Sequence, residues 1–320
     1  MKIGDLELDG AVVLAPMVGI TDPPFRRTVQ QFGVSALWTE MISAQGLKRG
    51  KLPRTVELAG HMVPTVFQIY GQDPDIMGEA AARLQDLGAA AIDVNMGCPA
   101  KKIVKQGAGV ALMKDFVRAG RIVAAVRKTL QIPLTVKIRS GWDENSRNAA
   151  ELGVIVANEG ADGLIVHSRT RSSGHKGPVS FGILAQVKQR VNIPVIGNGG
   201  VKNFSDSIEM MQETGCDGIM IGRGALGRPW IPGRILEHLE FASEKARYKR
   251  TLFEVISSHF QDMLGWVDRT TAVHRMRKHL VWYSKGLPGA TGFRELVLKL
   301  EDPEPVMVQL KSFFGGFVIP

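Results

Sequence analysis

Cys98 is the residue of this sequence with the clearest capacity for chemistry. It stands just beyond a predicted strand, and three lysines follow within seven residues. A loop thiol beside ammonium groups can act as a nucleophile or, when protonated, as a general acid. A cysteine can also be a small apolar residue of the core, and we expect this for Cys216. The loop position of Cys98 argues against that role for Cys98. The glycines in residues 107–109 predict a flexible segment that would let this loop close over a substrate.

Lys137 is the second candidate, because it lies in the middle of a predicted strand, residues 134–139. A lysine inside a fold is costly unless an anion or an electron-rich ring pairs with it. The N1/C2 carbonyl edge of a flavin is one such partner, since positive charge there favours the reduced anion. A lysine that forms a Schiff base is the alternative for this residue.

Glycine-rich turns follow the last two predicted strands, at residues 197–200 and 222–224. Backbone N–H groups exposed in such turns can bind a phosphate group, and barrel proteins commonly bind one at this place. Arg223 could add a bidentate contact. Tight turns that need a positive φ are the alternative explanation. Residues 222–227 also fit the pattern G-x-G-x-x-G, but no βαβ unit follows, so we assign no dinucleotide site there.

Eight short apolar runs rich in β-branched residues must position these groups. Near-continuous apolar runs are typical of parallel strands buried on both faces, and stretches of helical length separate them. This count predicts an α/β fold of the (β/α)8 TIM-barrel type, whereas a doubly wound sheet usually has about five or six strands. The predicted strands span residues 11–17, 36–41, 65–70, 91–95, 134–139, 163–168, 195–198 and 218–222. The predicted helices include residues 75–87, 119–130, 148–159, 181–191 and 204–214.

Functional side chains stand at nearly every predicted strand end, where barrel active sites form. They are Met17, Glu40, Gln68, Asn95, Cys98, Lys137, Arg139, His167, Arg169, Asn198 and Arg223. This pattern predicts a ligand-lined barrel mouth. No metal site is predicted, because the histidines are scattered and neither cysteine belongs to a C-x-x-C pair.

The pattern changes near residue 240, where β-rich runs stop and helices are predicted over residues 252–266 and 272–284. We therefore predict a barrel domain over residues 1–239 and a helical domain over residues 240–320. A charge cluster by itself indicates a solvated helix face, but basic groups interleaved with aromatic ones favour nucleic-acid binding. The residues concerned are Lys245, Arg247, Lys249, Arg250, Arg275, Arg277, Lys278, Trp282 and Tyr283.

The composition fits a globular protein with a polyanionic partner. The 320 residues include 40 Lys and Arg against 31 Asp and Glu, which gives a net charge of +9. Two cysteines cannot form a disulfide framework, which indicates a reducing compartment. The N-terminus carries acidic residues where a signal peptide needs basic ones, and no apolar stretch reaches the length of a membrane span. We therefore expect a cytoplasmic protein that has no contact with a membrane.

The order of these motifs resembles that of the tRNA-dihydrouridine synthases, and most of all their bacterial B-type branch. The likeness covers almost the whole chain, and the cysteine motif in this company is highly specific. The segments that carry it are residues 15–22, Gln68, residues 95–102 (NMGCPAKK), 107–113, 137–142, 167–171 (HSRTR), 197–199, 222–230 and 275–286.

The resemblance implies an FMN-dependent enzyme that uses NADPH to reduce uridine in tRNA to 5,6-dihydrouridine. Cys98 would protonate uracil C5 while the flavin N5 delivers hydride to C6, and the uridine would be flipped out of its stack to reach the barrel. The implied cofactor-binding residues are Pro16, Met17, Val18, Gln68, Lys137, His167, Asn198, Gly199, Gly200, Gly222 and Arg223. The implied substrate- and RNA-binding residues are Asn95, Lys101, Arg139, Arg169, Arg171, Arg275, Arg277 and Lys278.

Some positions depart from the pattern of that family. Gly200 stands where members often have an acidic residue, residues 172–175 lack the usual Gln and Tyr, and Phe181 replaces a Trp. These differences bear on RNA contact and on which uridine is chosen. Two alternatives stay open: an FMN barrel dehydrogenase acting on a free pyrimidine such as dihydroorotate, and a catalytically retired RNA-binding barrel. We expect a monomer.

Overall fold

The apolar runs form a closed barrel of parallel strands. The computed structural model describes residues 1–174, 177–241 and 250–319. The strands are β1 (Lys2–Ile3), β2 (Leu6–Glu7), β3 (Val12–Leu14), β4 (Ala36–Trp38), β5 (Ile42–Ser43), β6 (Thr65–Tyr70), β7 (Ala91–Met96), β8 (Leu134–Arg139), β9 (Gly163–His167), β10 (Val195–Asn198) and β11 (Gly218–Ile221). Eight of them, β3, β4 and β6 to β11, pair in parallel around the ring, and β11 returns to β3 to close it. The predicted (β/α)8 barrel is therefore confirmed.

Helices follow the barrel strands, and several begin where a side chain caps the first turn. Asp22, Asp73 and Asp115 each accept a hydrogen bond from a backbone N–H of the helix that they precede. Each bond provides a partner for an N–H group that has none within the helix. The helices are α1 (Pro23–Gln30), α2 (Ala44–Lys48), α3 (Pro74–Asp86), α4 (Lys101–Lys105), α5 (Phe116–Thr129), α6 (Ala149–Asn158), α7 (Phe181–Arg190), α8 (Phe204–Thr214), α9 (Ile231–Leu236), α10 (Leu252–Trp266), α11 (Arg269–Tyr283), α12 (Ala290–Val297) and α13 (Pro303–Phe314).

The side chains inside the barrel form an apolar layer at one end and a polar layer at the other. Alternate residues of a strand share a face, so Ala91 and Asp93 of β7 both point inward, at different depths. The apolar layer contains Val13, Ala36, Trp38, Val66, Ala91, Ile165, Ile196 and Met220, together with Ile3 and Leu8 from the N-terminal segment. The antiparallel pair β1–β2 thus covers the amino end of the barrel, and the polar layer lies toward the carboxyl end.

Several predictions of element bounds need correction. The first predicted strand, residues 11–17, is shorter because residues 15–17 leave the sheet. The second, residues 36–41, ends at Trp38, and β5 begins only beyond its predicted end. The hairpin β1–β2 was not predicted, because strands of two residues have no readable periodicity. Helices α5 and α11 begin at Phe116 and Arg269, three residues before their predicted starts at 119 and 272, since Asp115 and Asp268 cap them. Helices α12 and α13 were also missed.

The C-terminal helices have their own apolar core, which two barrel residues enter. Phe32 and Trp230 belong to this core, alongside residues such as Phe260 and Leu310. An ion pair also joins α1 to α10, with 3.2 Å between Arg27 Nε and an oxygen of Asp262. The division at residues 239 and 240 stays a prediction, and residues 242–249 lie outside the described ranges. Across those ranges, every helix is too short or too polar to cross a membrane.

Candidate active site

A cavity of about 1260 Å³ opens at the carboxyl ends of the barrel strands and extends to the C-terminal helices. The helical residues at its border include Trp282, Tyr283 and Lys285. The predicted residues that line it are Pro16, Met17, Val18, Gln68, Asn95, Cys98, Lys137, Arg139, His167, Arg169, Asn198, Gly199, Gly200, Gly222 and Arg223. The barrel thus brings all the residues implied for the cofactor into one space, together with Cys98.

A hydrogen-bonded chain joins β6, β7 and β8 at the floor of this cavity. Gln68 Nε2 donates to Asp93 Oδ2 at 2.6 Å, and Thr135 Oγ1 donates to Asp93 Oδ1 at 2.7 Å. Asn95 Nδ2 donates to Gln68 Oε1 at 2.9 Å. These bonds fix both ends of the Gln68 amide, so its orientation is set by the protein.

Sequence reasoning missed Asp93, although an acidic residue inside an apolar strand is a readable signal. Its side chain is fully buried. Burial raises the pKa of Asp93, and the Gln68 and Thr135 hydrogen bonds oppose that rise. The carboxylate also stabilises the charged form of Lys137 on the neighbouring strand. Asp93 is therefore the internal countercharge for that lysine.

Lys137 reaches across the barrel to β10. Its Nζ donates to Asn198 Oδ1 at 2.9 Å, and Asn198 Nδ2 donates to the Met220 carbonyl at 2.7 Å. Burial lowers the pKa of Lys137, and Asp93 opposes this shift. An ammonium group has three N–H donors, so Lys137 can bind Asn198 and still offer hydrogen bonds to a ligand in the cavity.

Two hydrogen bonds and a close contact with Gly109 hold the Cys98 loop in place. Asn95 Oδ1 accepts from the N–H of Cys98 at 2.9 Å, and the Cys98 carbonyl accepts from the N–H of Val110 at 3.1 Å. Gly109 has φ +61°, and a Cβ there would lie 2.7 Å from that carbonyl. The glycine at position 109 thus permits a close approach, whereas its sequence context had predicted flexibility.

The charge near the Cys98 thiol comes from Arg139 rather than from the lysines of α4. Burial raises the pKa of Cys98, and the Arg139 guanidinium opposes this rise. Lys101, Lys102 and Lys105 do not line the cavity within the described residues. A thiol with a raised pKa stays protonated at neutral pH, which suits a general acid better than a nucleophile.

Arg139 supports the loop from the barrel interior. It is only 3% exposed. Its Nε donates to the Gly97 carbonyl at 2.8 Å, and its Nη1 donates to the carbonyls of Thr170 and Gly174 at 2.9 and 3.0 Å. Burial lowers the pKa of Arg139 to about 10, so the guanidinium remains charged at neutral pH. Arg139 therefore joins the loops after β7 and β9.

Arg169, Arg223 and two glycines form a cationic end of the cavity. Burial lowers the pKa of Arg169, and the positive charge of Arg223 lowers it further. The buried Nη1 of Arg169 has no hydrogen-bond partner among the described residues. Gly199 has φ +112°, a Cβ there would lie 3.2 Å from Arg169 Nη1, and Gly200 has φ +92°. This end of the cavity suits an anion such as phosphate, because it combines two neighbouring cations, an N–H donor without a partner and accessible glycine backbone.

The residues predicted to contact RNA fall into separate groups. Arg171 stacks on Trp142, with 4.3 Å from its Cζ to the ring centroid, and Lys114 approaches the same ring at 3.8 Å. Lys101 is exposed in α4. Trp142 belongs to a segment that carries the sequence resemblance, but its contacts with Arg171 and Lys114 were not predicted.

The basic residues of α11 mostly contact the protein itself. Arg277 pairs with Glu301 at 2.6 Å, and Lys278 donates to the Gly19 carbonyl. Arg275 lies over the Trp266 ring at 4.9 Å and 3.8 Å from Asp22.

The second basic cluster is only partly described. Arg250 donates to Gln31 of the barrel at 2.7 Å, whereas Lys245, Arg247 and Lys249 lie outside the described residues.

No cluster of three or more His, Cys, Asp or Glu side chains suited to a metal ion occurs in the described part of the chain.

Comparison with known proteins agrees with this fold and identifies related sequences. The family model described as dihydrouridine synthase (Dus) matches residues 13–314. A probable tRNA-dihydrouridine synthase of Rickettsia prowazekii is 39% identical over 98% of this chain and 97% of its own. A tRNA-dihydrouridine synthase B of Pseudomonas syringae is 37% identical over 98% of this chain and 94% of its own.

Among solved structures, morphinone reductase superposes with a TM-score of 0.54 at 13% identity, over 73% of this chain and 87% of that one. At that identity the likeness concerns the barrel fold. The sequence matches cover nearly the whole chain, and the cysteine motif lies at the barrel cavity. The chain therefore belongs to the dihydrouridine synthase family of enzymes.

Proposed function

We propose that this protein reduces uridine in tRNA to 5,6-dihydrouridine with FMN as its cofactor and NADPH as the reductant. The observation that carries the proposal is Cys98, a thiol kept protonated by burial at the border of a cavity that holds Lys137 and a cationic end. The names of the relatives support tRNA as the substrate. We also propose that the protein acts in the cytoplasm as a monomer.

The residues of the cavity fit FMN. The Arg169 Nη1 group without a partner, the Arg223 guanidinium and the backbone of Gly199, Gly200 and Gly222 offer donors for the phosphate group. Met17, Val18 and Pro16 would border the flavin ring, Gln68 and Lys137 would face its polar edge, and His167 and Asn198 would lie beside it. When bound and reduced by NADPH, FMN would supply a hydride to uracil C6.

Cys98 supplies the proton that this reduction requires. The thiol donates its proton to uracil C5, and solvent restores it afterwards. Asn95 and Arg139 hold the loop that carries the thiol, and both line the cavity, so they can also orient the base. Because the thiol is protonated before the reaction, no other group has to deliver a proton to it during the step.

The base must leave its stack to enter the cavity, and loops of tRNA contain bases that are already weakly paired. We propose that Arg169 and Arg171 lie along the RNA path, and that Lys101, Arg275 and Arg277 contact phosphates. For Arg275 and Arg277 this would require exchange of their present partners, whereas Lys278 keeps its hydrogen bond to the Gly19 carbonyl. The division into a barrel domain (residues 1–239) and a tRNA-binding domain (residues 240–320) is part of the same proposal.

The test compares wild-type protein with Cys98→Ala, using unmodified tRNA, uracil and orotate as substrates. We expect yellow protein, NADPH oxidation with tRNA, and a gain of two hydrogen atoms in the modified uridine. Cys98→Ala should keep FMN and lose turnover by about 100-fold or more. Turnover of orotate or uracil instead of tRNA would favour the free-pyrimidine dehydrogenase, and colourless protein that rejects added FMN would favour the retired barrel.

A further inference from the structure

The loop after β3 forms a closed turn, residues 17–21, in which the side chains of Met17, Val18 and Ile20 border the cavity. Met17 and Thr21 close its base: the N–H of Met17 donates to Thr21 Oγ1 at 2.9 Å, and the N–H of Thr21 donates to the Met17 carbonyl at 3.0 Å. Val18 projects from the turn and is 64% exposed. Its side chain is thus not held by packing, and the position of Val18 depends on what holds the turn.

Two charged side chains hold the tip of this turn from opposite sides. Glu40, which follows β4, accepts a hydrogen bond from the N–H of Gly19, and Lys278 of α11 donates to the Gly19 carbonyl. Gly19 has φ +75°, a conformation that other residues rarely adopt, and the nearest atom to a Cβ built there is Lys278 Nζ, at 3.7 Å. Both backbone groups of one residue are therefore bound by ions, and one of those ions belongs to the C-terminal helices.

The geometry of α11 explains why Lys278 faces the turn while its neighbour Arg277 does not. Successive residues of a helix are separated by about 100°, so Arg275, Lys278 and Trp282 share one face. This face meets the cavity and Asp22 at the start of α1. Arg277 lies on another face and pairs with Glu301. The basic cluster that appears uniform in the sequence is thus divided between two directions.

We propose that Lys278 is a positioning residue of the flavin site, which acts with Glu40 through the Gly19 peptide to hold the turn that carries Met17 and Val18. This inference rests on the proposed function. It assigns Lys278 a task that differs from RNA contact, because its ammonium group is already bound to the barrel. Arg275, whose side chain is 40% exposed, is the better placed of the two to reach a phosphate.

The experiment measures FMN affinity by titrating FMN into protein from which the flavin has been removed, following flavin fluorescence. We expect Lys278→Met to raise the Kd for FMN by about tenfold, the loss of roughly one charged hydrogen bond. Glu40→Leu, which removes the acceptor for the Gly19 N–H, should shift the Kd in the same direction, and Lys278→Arg should restore most of the affinity because Arg keeps the donor. Arg269→Met is the matched control, since it removes an exposed positive charge from the same helix and should leave the Kd unchanged.

Binding of unmodified tRNA at several salt concentrations separates positioning from RNA contact. We expect wild-type protein and Lys278→Met to show the same dependence of affinity on salt. An unchanged Kd for FMN together with a salt slope reduced by about one would assign Lys278 to an RNA phosphate and overturn the inference. If Lys278→Met does not fold, Glu40→Leu decides, and equal FMN affinity of that variant and the wild type overturns the inference. Wild-type protein that binds no FMN would instead refute the proposed function itself.

Discussion

His259 and His279 form a buried pair where α10 and α11 meet α1. Their ring centroids are 4.7 Å apart, and the Phe25 ring packs against both, at 5.7 and 5.2 Å. Burial lowers the pKa of His259 to about 3, and the positive charges of Lys278 and Arg27 add to this shift. Burial also lowers the pKa of His279 well below its usual value. Both rings are therefore neutral in the folded protein at pH 5.

A lowered folded-state pKa makes the folded protein sensitive to acid. The contribution of the neutral His259 ring to the free energy of unfolding is complete above the unfolded pKa of about 6.5. It is lost as the pH falls from there toward about 3. Between pH 7.5 and 5.0 the unfolded chain binds nearly one proton at His259 that the folded chain does not. The free energy of unfolding should fall by about 2 kcal/mol through this residue alone.

Asp22 acts in the opposite direction, so the wild-type pH profile alone does not isolate the histidine. Burial raises the pKa of Asp22 to about 6. Its raised pKa adds stability as the pH falls through about 6 toward the unfolded value near 3.8. The comparison must therefore be made between the wild type and a variant in which only His259 differs.

His259→Gln removes the site of protonation and keeps a polar group near the Tyr283 hydroxyl, which lies 3.1 Å from His259 Nδ1. Urea unfolding followed by tryptophan fluorescence at pH 7.5 and 5.0 gives the free energies. We expect the variant to lose about 2 kcal/mol less than the wild type between these values. His238→Gln, at an exposed histidine, is the control. Equal losses for His259→Gln and the wild type would refute the reasoning.

Two further predictions concern contacts around the cavity. Gly227 has φ +71° and a Cβ there would lie 2.3 Å from the Trp282 carbonyl, so Gly227→Ala should lower the free energy of unfolding by about 3 kcal/mol. Gly215→Ala, at φ +66° with open space, should cost only about 1 kcal/mol in the same urea titration, and equal costs would show that the contact is unimportant. Arg139→Gln removes the guanidinium that opposes the raised pKa of Cys98. The pH at which iodoacetamide alkylates Cys98 at half its maximal rate should therefore be higher than in the wild type, because the thiolate is the form that reacts. A midpoint equal to that of the wild type would mean that the Arg139 charge does not act on the thiol.

The barrel could be predicted because its strands are buried on both faces. Such strands need apolar side chains throughout, and this requirement gives eight separate runs that a sequence displays directly. Strand ends were harder, since residues 15–17 are apolar but turn into the cavity border. The hairpin β1–β2 and helix α12 were missed because they are short, with two residues in each strand and eight in the helix. Helix α13, which has Pro303 and Pro305 at its start, was also missed.

The positions of the site residues followed from the barrel, but their partners did not. Lys137 was expected to need an anion, yet its countercharge Asp93 lies on another strand, 44 positions earlier. The lysines near Cys98 suggested an activated thiol, whereas burial dominates and favours the protonated form. Glu301 binds Arg277 across 24 residues. Distances in sequence of this size leave no local pattern to read.

The contact between the Gly227 loop and α11 has a consequence for how the protein folds and evolves. This loop follows the last barrel strand and meets the Trp282 backbone, while Phe32 and Trp230 fill the core of the C-terminal helices. Closure of the barrel and assembly of the helices therefore share the same surfaces and should occur as one cooperative transition. The helical region is not an exchangeable module, since a replacement would have to match the shape of the barrel loop and accept Phe32 and Trp230 into its core.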